Sequence, residues 1–143
     1  MRVARLCGLV AGASLLAGCS HYCTEIGCIN GVAIEVKKQF SVALLPVEVT
    51  VCAADNCSTE TIEKSQIAPG QASFGIGPSI LLNEKSKRDV EVSLQVRATD
   101  AILVNATGTG HLIRSKPNGS GCGPTCYGAS LVYDPATKSL IER

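Results

Sequence analysis

At 143 residues, with 45% hydrophobic and 17% charged side chains, the chain is long enough for one domain with a core of its own. Its 13 basic and 12 acidic residues give a net charge of +1, which argues against nucleic acid as a partner, since neutralising phosphates takes a clustered basic surface. Two Phe, three Tyr and no Trp leave the core to Val, Leu and Ile, so cross-links would have to supplement a modest core.

Arg2 and Arg5 precede an apolar run of small residues from Leu6 to Ala17, the layout of a signal peptide. The run falls well short of the roughly 20 residues that a bilayer core demands. It ends in Leu16-Ala17-Gly18-Cys19, which resembles the lipobox of bacterial lipoproteins at all four positions. The resemblance implies that residues 1–18 are removed as a leader. Cys19 then becomes the first residue and carries a diacylglycerol on its thiol, palmitate being the expected kind of acyl chain. Two chains give a stable anchor without a spanning helix, so the expected location is the extracytoplasmic face of the cell membrane. An ordinary secretory signal with a chance cysteine after the cleavage point is the alternative. Loss of Arg2 and Arg5 takes the basic count from 13 to 11 against 12 acids, a net charge of about −1.

Residues 19–30 read as a polar tether, and residues 31–143 as the domain. The first strand is expected over Gly31 to Lys37, with Val32, Ile34 and Val36 facing in. Lys38 to Leu45 reads as a connection or a strand that changes face, and Pro46 suits the start of the next strand. Val47, Val49 and Val51 alternate with Glu48, Thr50 and Cys52, and after Asp55-Asn56 the segment Cys57 to Ile62 can return beside them. Turn residues at Pro69-Gly70 and Gly75 to Pro78 bracket a short apolar piece around Phe74, and Ser79 to Leu82 reads as a further short strand. Asn83 to Arg88 is the most polar loop. Asp89 to Arg97 alternates strictly, with Val90, Val92, Leu94 and Val96 inward.

Thr99-Asp100-Ala101 turns the chain into Ile102 to Ile113, whose outward residues are Asn105, Thr107, Thr109 and His111. Gly108 and Gly110 fall on the inward face, which points to a bulge or to the close approach of another strand. Pro117 to Pro124 is a turn-rich connection. Tyr127, Ala129, Leu131 and Tyr133 form the last core stripe, and a strand around Lys138 to Ile141 pairs back. Seven or eight short strands without sustained helical periodicity predict an all-β fold, an antiparallel immunoglobulin-like sandwich, with a small barrel as the alternative.

With Cys7 in the leader and Cys19 acylated, Cys23, Cys28, Cys52, Cys57, Cys122 and Cys126 remain. An even set outside the cytoplasm reads as a disulfide framework. Cys52 falls opposite Cys57 across the hairpin, within disulfide reach. The other four can pair locally, Cys23 with Cys28 and Cys122 with Cys126, or cross between the two ends of the domain, and the crossed arrangement is preferred. A zinc site would need reduced thiolates, which an exported chain does not keep, so no metal or other cofactor is expected.

The run Cys23 to Val32, the hairpin from Val51-Cys52 to Cys57-Ser58, and Pro117-Asn118-Gly119 through Cys122-Gly123-Pro124-Thr125-Cys126-Tyr127 together resemble a group of small actinobacterial envelope lipoproteins. These carry disulfide-bonded immunoglobulin-like or transthyretin-like domains. The resemblance covers most of the mature chain and implies fold and compartment. It brings no catalytic residues.

The chain has no Gly-x-Ser-x-Gly elbow, phosphate loop or dinucleotide fingerprint. Its two histidines, His21 and His111, fall in the tether and on an outward strand face. The expectation is a non-catalytic, membrane-anchored envelope protein whose sandwich contacts another envelope protein or the cell wall, with exposed edge strands as the route. The alternative is an extracytoplasmic ligand- or glycan-binding module that uses loops such as Asn83 to Arg88 and Pro117 to Gly121.

Overall fold

The computed structural model describes residue 28 and residues 30–83, 88–119 and 121–143. Ten strands make two sheets packed face to face. They are β1 (Gly31–Ser41), β2 (Val47–Ala53), β3 (Asn56–Ile62), β4 (Ser73–Ile76), β5 (Ser79–Leu81), β6 (Asp89–Ala98), β7 (Ala101–His111), β8 (Ile113–Ser115), β9 (Cys126–Asp134) and β10 (Ser139–Glu142). Among the described residues there is no α-helix, only short 3-10 turns at Val42–Leu44 and Lys64–Gln66. The fold is an all-β sandwich.

The first sheet runs β10-β9-β1-β4, with β5 also on β1 and β8 also on β9; the second runs β3-β2-β6-β7. Alternation turns one face of each strand inward, as period-2 side chains require. Val32, Ile34 and Val36 of β1, Val47, Val49 and Val51 of β2, and Val90, Val92, Leu94 and Val96 of β6 are all buried. Leu131 and Tyr133 of β9 and Leu140 of β10 lie beside the β1 residues in the first sheet and meet those of β2 and β6 across the core. Phe40 and Phe74 pack with ring centroids 5.8 Å apart and close one end of this aliphatic core.

Two expectations are corrected. The sandwich is not wholly antiparallel, because β1 runs parallel to β9, from Gly31 opposite Gly128 to Val36 opposite Tyr133. Alternation fixes which face a strand buries but carries no information about the direction of its neighbour. The strands also number ten among the described residues, because the short apolar piece around Phe74 is a strand of its own and the run expected over Ile102 to Ile113 is divided. Gly77-Pro78 separates β4 from β5, and both pair with β1. Leu112, fully buried, separates β7 from β8, and there the chain leaves one sheet for the other. Corners of this kind are how strands switch sheets in a sandwich.

β1 continues past Lys37 to Ser41 through an irregularity between Val36 and Phe40. The β2–β3 hairpin closes on Ala54-Asp55, since Ala53 pairs with Asn56. β6 and β7 join through Thr99-Asp100, with Ala98 opposite Ala101.

The inward glycines of β7 answer to close packing between the sheets. A Cβ on Gly108 would lie 2.2 Å from the Leu140 carbonyl oxygen of β10. One on Gly110 would lie 3.1 Å from both Ala129 Cβ and Leu131 Cδ1 of β9. Glycine is what lets β7 lie directly against β9 and β10.

Candidate functional site

Two disulfides join described residues. Cys52 and Cys57 bridge directly opposed positions of β2 and β3, with Cα atoms 4.0 Å apart. Cys28 bonds to Cys126 across 98 residues of sequence, with a Cα separation of 5.9 Å. Cys122 is disulfide-bonded as well. Cys19, Cys23, His21, the whole leader and most of the tether lie outside the described residues, as do residues 84–87 and 120 of the two loops singled out above.

The Cys28–Cys126 bond sits at the head of the parallel pair, where β1 and β9 both begin. Asn30 strengthens the same junction, its Oδ1 accepting from the Tyr127 backbone N–H at 2.7 Å. Directly below, on the outer face of the sheet, four strands lie side by side. Leu81 of β5 stands opposite Gly31 of β1, Gly31 opposite Gly128 of β9, and Gly128 opposite Ile113 of β8. The next row holds Ser79, Ala33 and Ser130. Small residues make a floor and two bulky apolar side chains make the walls.

The result is a trough of about 540 Å³, within the range of small-molecule sites. Leu81 is 67% exposed and Ile113 59%, so its walls stand in solvent. Gly31 is indispensable to its floor, because a Cβ there would fall 2.1 Å from the Ile80 carbonyl oxygen. At the end away from Cys28, Arg143 Nη1 donates to Glu35 Oε2 at 3.0 Å, and the pair bounds the trough with neutralised charge. The Arg143 backbone N–H donates to the Ser130 carbonyl and fixes the residue there. Ile141, 49% exposed and opposite Val132, extends the apolar character of this face.

The outer face of the second sheet is chemically opposite. Thr59, Thr50, Gln95 and Asn105 form one row across its four strands, and Cys57, Cys52, Ser93 and Thr107 the next. Thr50 and Thr59 share a hydroxyl hydrogen bond of 3.0 Å. A shallow depression of about 420 Å³ lies among Glu91, Ser93, Thr107 and Thr109. His111 ends this face, its Nδ1 paired with Asp89 Oδ1 and its backbone N–H donating to Glu142 Oε1 at 2.9 Å. Among the described residues no group of three or more His, Cys, Asp or Glu side chains converges as a metal site.

The trough was not anticipated from the sequence. Its residues are far apart in the chain, and only the parallel register of β1 on β9 brings Gly31 beside Gly128. The signal available was the exposed apolar residue at positions 81 and 113, each at the end of a short strand. Neither a family model, a curated protein nor a solved structure matches this chain.

Proposed function

We propose that the chain is an exported lipoprotein of a bacterial cell envelope, held on the extracytoplasmic face of the membrane by a diacylglycerol at Cys19. Its sandwich is a non-catalytic interaction domain. Small actinobacterial envelope lipoproteins are the group to which its cysteine-bearing motifs point. The observation that carries this reading is the Cys28–Cys126 bond, because a long-range disulfide belongs to an oxidising compartment and the leader ending in Cys19 supplies the route there. The edge strand β3, paired with β2 alone among the described residues, offers its other side for strand addition by an envelope partner.

The anchor is tested by detergent phase partitioning. The wild-type chain should enter the detergent phase and Cys19→Ala the aqueous phase; identical partitioning of the two would sink the proposal. A second reading, glycan binding, is favoured by the polar rows of Thr50, Thr59, Gln95, Asn105, Ser93 and Thr107. Titration of cell-wall polysaccharide should then shift the backbone amide resonances of Ser93 and Thr107, and their constancy would dismiss it.

A further inference from the structure

We propose that the outer face of the β8-β9-β1-β5 sheet is a lipid-docking surface. It rests on the bilayer, with Leu81 and Ile113 entering the acyl boundary and one acyl chain lying in the trough between them. The inference rests on the reading of Cys19 as the anchor and says which side of the domain that anchor presents to the membrane.

Three independent features converge on this face. The first is where the chain arrives. Cys28 is pinned to Cys126 at the head of β1 and β9, beside the Gly31–Gly128 row that opens the trough. Cys19 lies nine positions before Cys28, and a chain of that span reaches at most about 30 Å. The second is apolar exposure. Among the described residues five large hydrophobic side chains are left in solvent, and Leu81, Ile113 and Ile141 belong to this sheet face, whereas the opposite face carries rows of Thr, Ser, Gln and Asn with charged Glu48, Glu91 and Arg97, and Ile102 opposite Arg97 at one end. The third is charge. Arg114 and Lys116 follow Ile113 at the sheet edge and are exposed; alternation starts Arg114 on the side away from Ile113, so these cations flank the face at its rim, where long side chains can meet anionic headgroups. The acidic groups nearby are engaged, Glu35 by Arg143 and Glu142 by the His111 backbone.

The chain has no tryptophan, so one introduced indole is an unambiguous reporter. Leu81→Trp, Ile113→Trp and, on the opposite face, Thr107→Trp would be prepared as full chains with Cys19 intact. They would be reconstituted into vesicles of phosphatidylcholine and phosphatidylglycerol carrying acyl-brominated lipid. The same substitutions in the Cys19→Ala background would be added to the vesicles from solution. All three sites are on the surface, and unchanged thermal melts would establish that the variants fold.

Indole emission at 81 and 113 should shift to the blue and fall at least roughly twofold, while that at 107 stays as in solution. Preferential quenching at 81 and 113 in either arm supports the docking face. Equal quenching at all three positions, or none at 81 and 113 in both arms, overturns it. The anchor itself is read separately from the partitioning of the unsubstituted chains, so a failed anchor and a failed docking face give different results.

Discussion

Gly108→Ala is the most direct test of how the two sheets meet. The new Cβ would sit 2.2 Å from the Leu140 carbonyl oxygen, 2.7 Å from Leu140 Cβ and 2.9 Å from the Leu140 carbonyl carbon. Two of those atoms are backbone, so no rotamer change relieves the contact and β10 must move away from β7 by about an ångström. Overpacking a closed core costs up to about 3 kcal/mol, and a contact with backbone at 2.2 Å, which also thins the packing around Leu140 and Leu131, belongs at that upper end. Alanine returns about 0.5 to 1 kcal/mol of backbone entropy in a strand, leaving a net loss of about 2 kcal/mol. For a domain of this size that is a fall in Tm of about 8 °C. Gly110→Ala supplies an internal comparison, since its Cβ would meet only side-chain atoms, at 3.1 Å or beyond, and should lose less than half as much. Thr107→Ala, on the outer face of the same strand, should be nearly neutral. Thermal and urea unfolding with disulfides intact would measure all three. A Gly108→Ala chain as stable as the wild type, or no less stable than Gly110→Ala, would refute the close approach of β10 to β7.

Asp134 should titrate below its ordinary 3.8, because its carboxylate accepts hydrogen bonds from the Ala136 backbone and the Thr137 hydroxyl. A depressed folded value stabilises the β9–β10 turn above the usual carboxylate range, and that contribution is lost as pH falls through the lowered value. Carboxyl NMR of Thr137→Val should show Asp134 moving back towards 3.8, and an unmoved titration would dismiss the hydroxyl's role. Cys28, Cys52, Cys57 and Cys126 are taken up by two bonds and Cys122 is also bonded, so if Cys19 is acylated as proposed and Cys7 leaves with the leader, Cys23 is the cysteine left to pair with Cys122. Non-reducing peptide mapping should recover that pair, and a Cys19–Cys122 bridge would refute the anchor. If Cys23–Cys122 holds, removing Cys28–Cys126 alone reopens an effective loop of about ten residues and costs about 3 kcal/mol. Removing both bonds frees nearly the whole domain and costs about 7 kcal/mol; strictly additive losses on urea unfolding would contradict the paired arrangement.

The strands whose alternation is strict were readable because one face is wet and the other dry. Val90 to Val96 and Val47 to Val51 are buried at every second position, and the Cys52–Cys57 register follows from the hairpin between two such runs. The inward placement of Gly108 and Gly110 was equally readable, since the period continues through them from Val104 and Ala106. What lay beyond reach was anything set by a partner distant in sequence. The direction of β1 on β9 leaves no trace in either strand's pattern. The sheet switch at Leu112 falls inside an unbroken run of strand-forming residues, and it is fixed by the Leu112 N–H donating to the Arg88 carbonyl at 2.9 Å. The apolar trough inherits both gaps, because β8 exists only after the switch and the Gly31–Gly128 row only in the parallel register.

The parallel pair is therefore where stability and presentation of the site coincide. Its strands come from opposite ends of the domain, so the pairing closes nearly the whole chain as a loop before any of its ladder bonds can form, and the entropy of that closure opposes it. The Cys28–Cys126 bond removes that opposition from the unfolded chain in the chain-entropy account. Being at the head of both strands, it also fixes their register. Register is what sets glycine beside glycine and leaves Leu81 and Ile113 as facing walls. The bond thus supports the least favourable pairing in the fold and, through its register, the trough floor. Reduction of that bond should loosen the trough walls before it disturbs the β2-β6-β7 sheet, whose strands are joined by short turns or by pairing between long, buried neighbours.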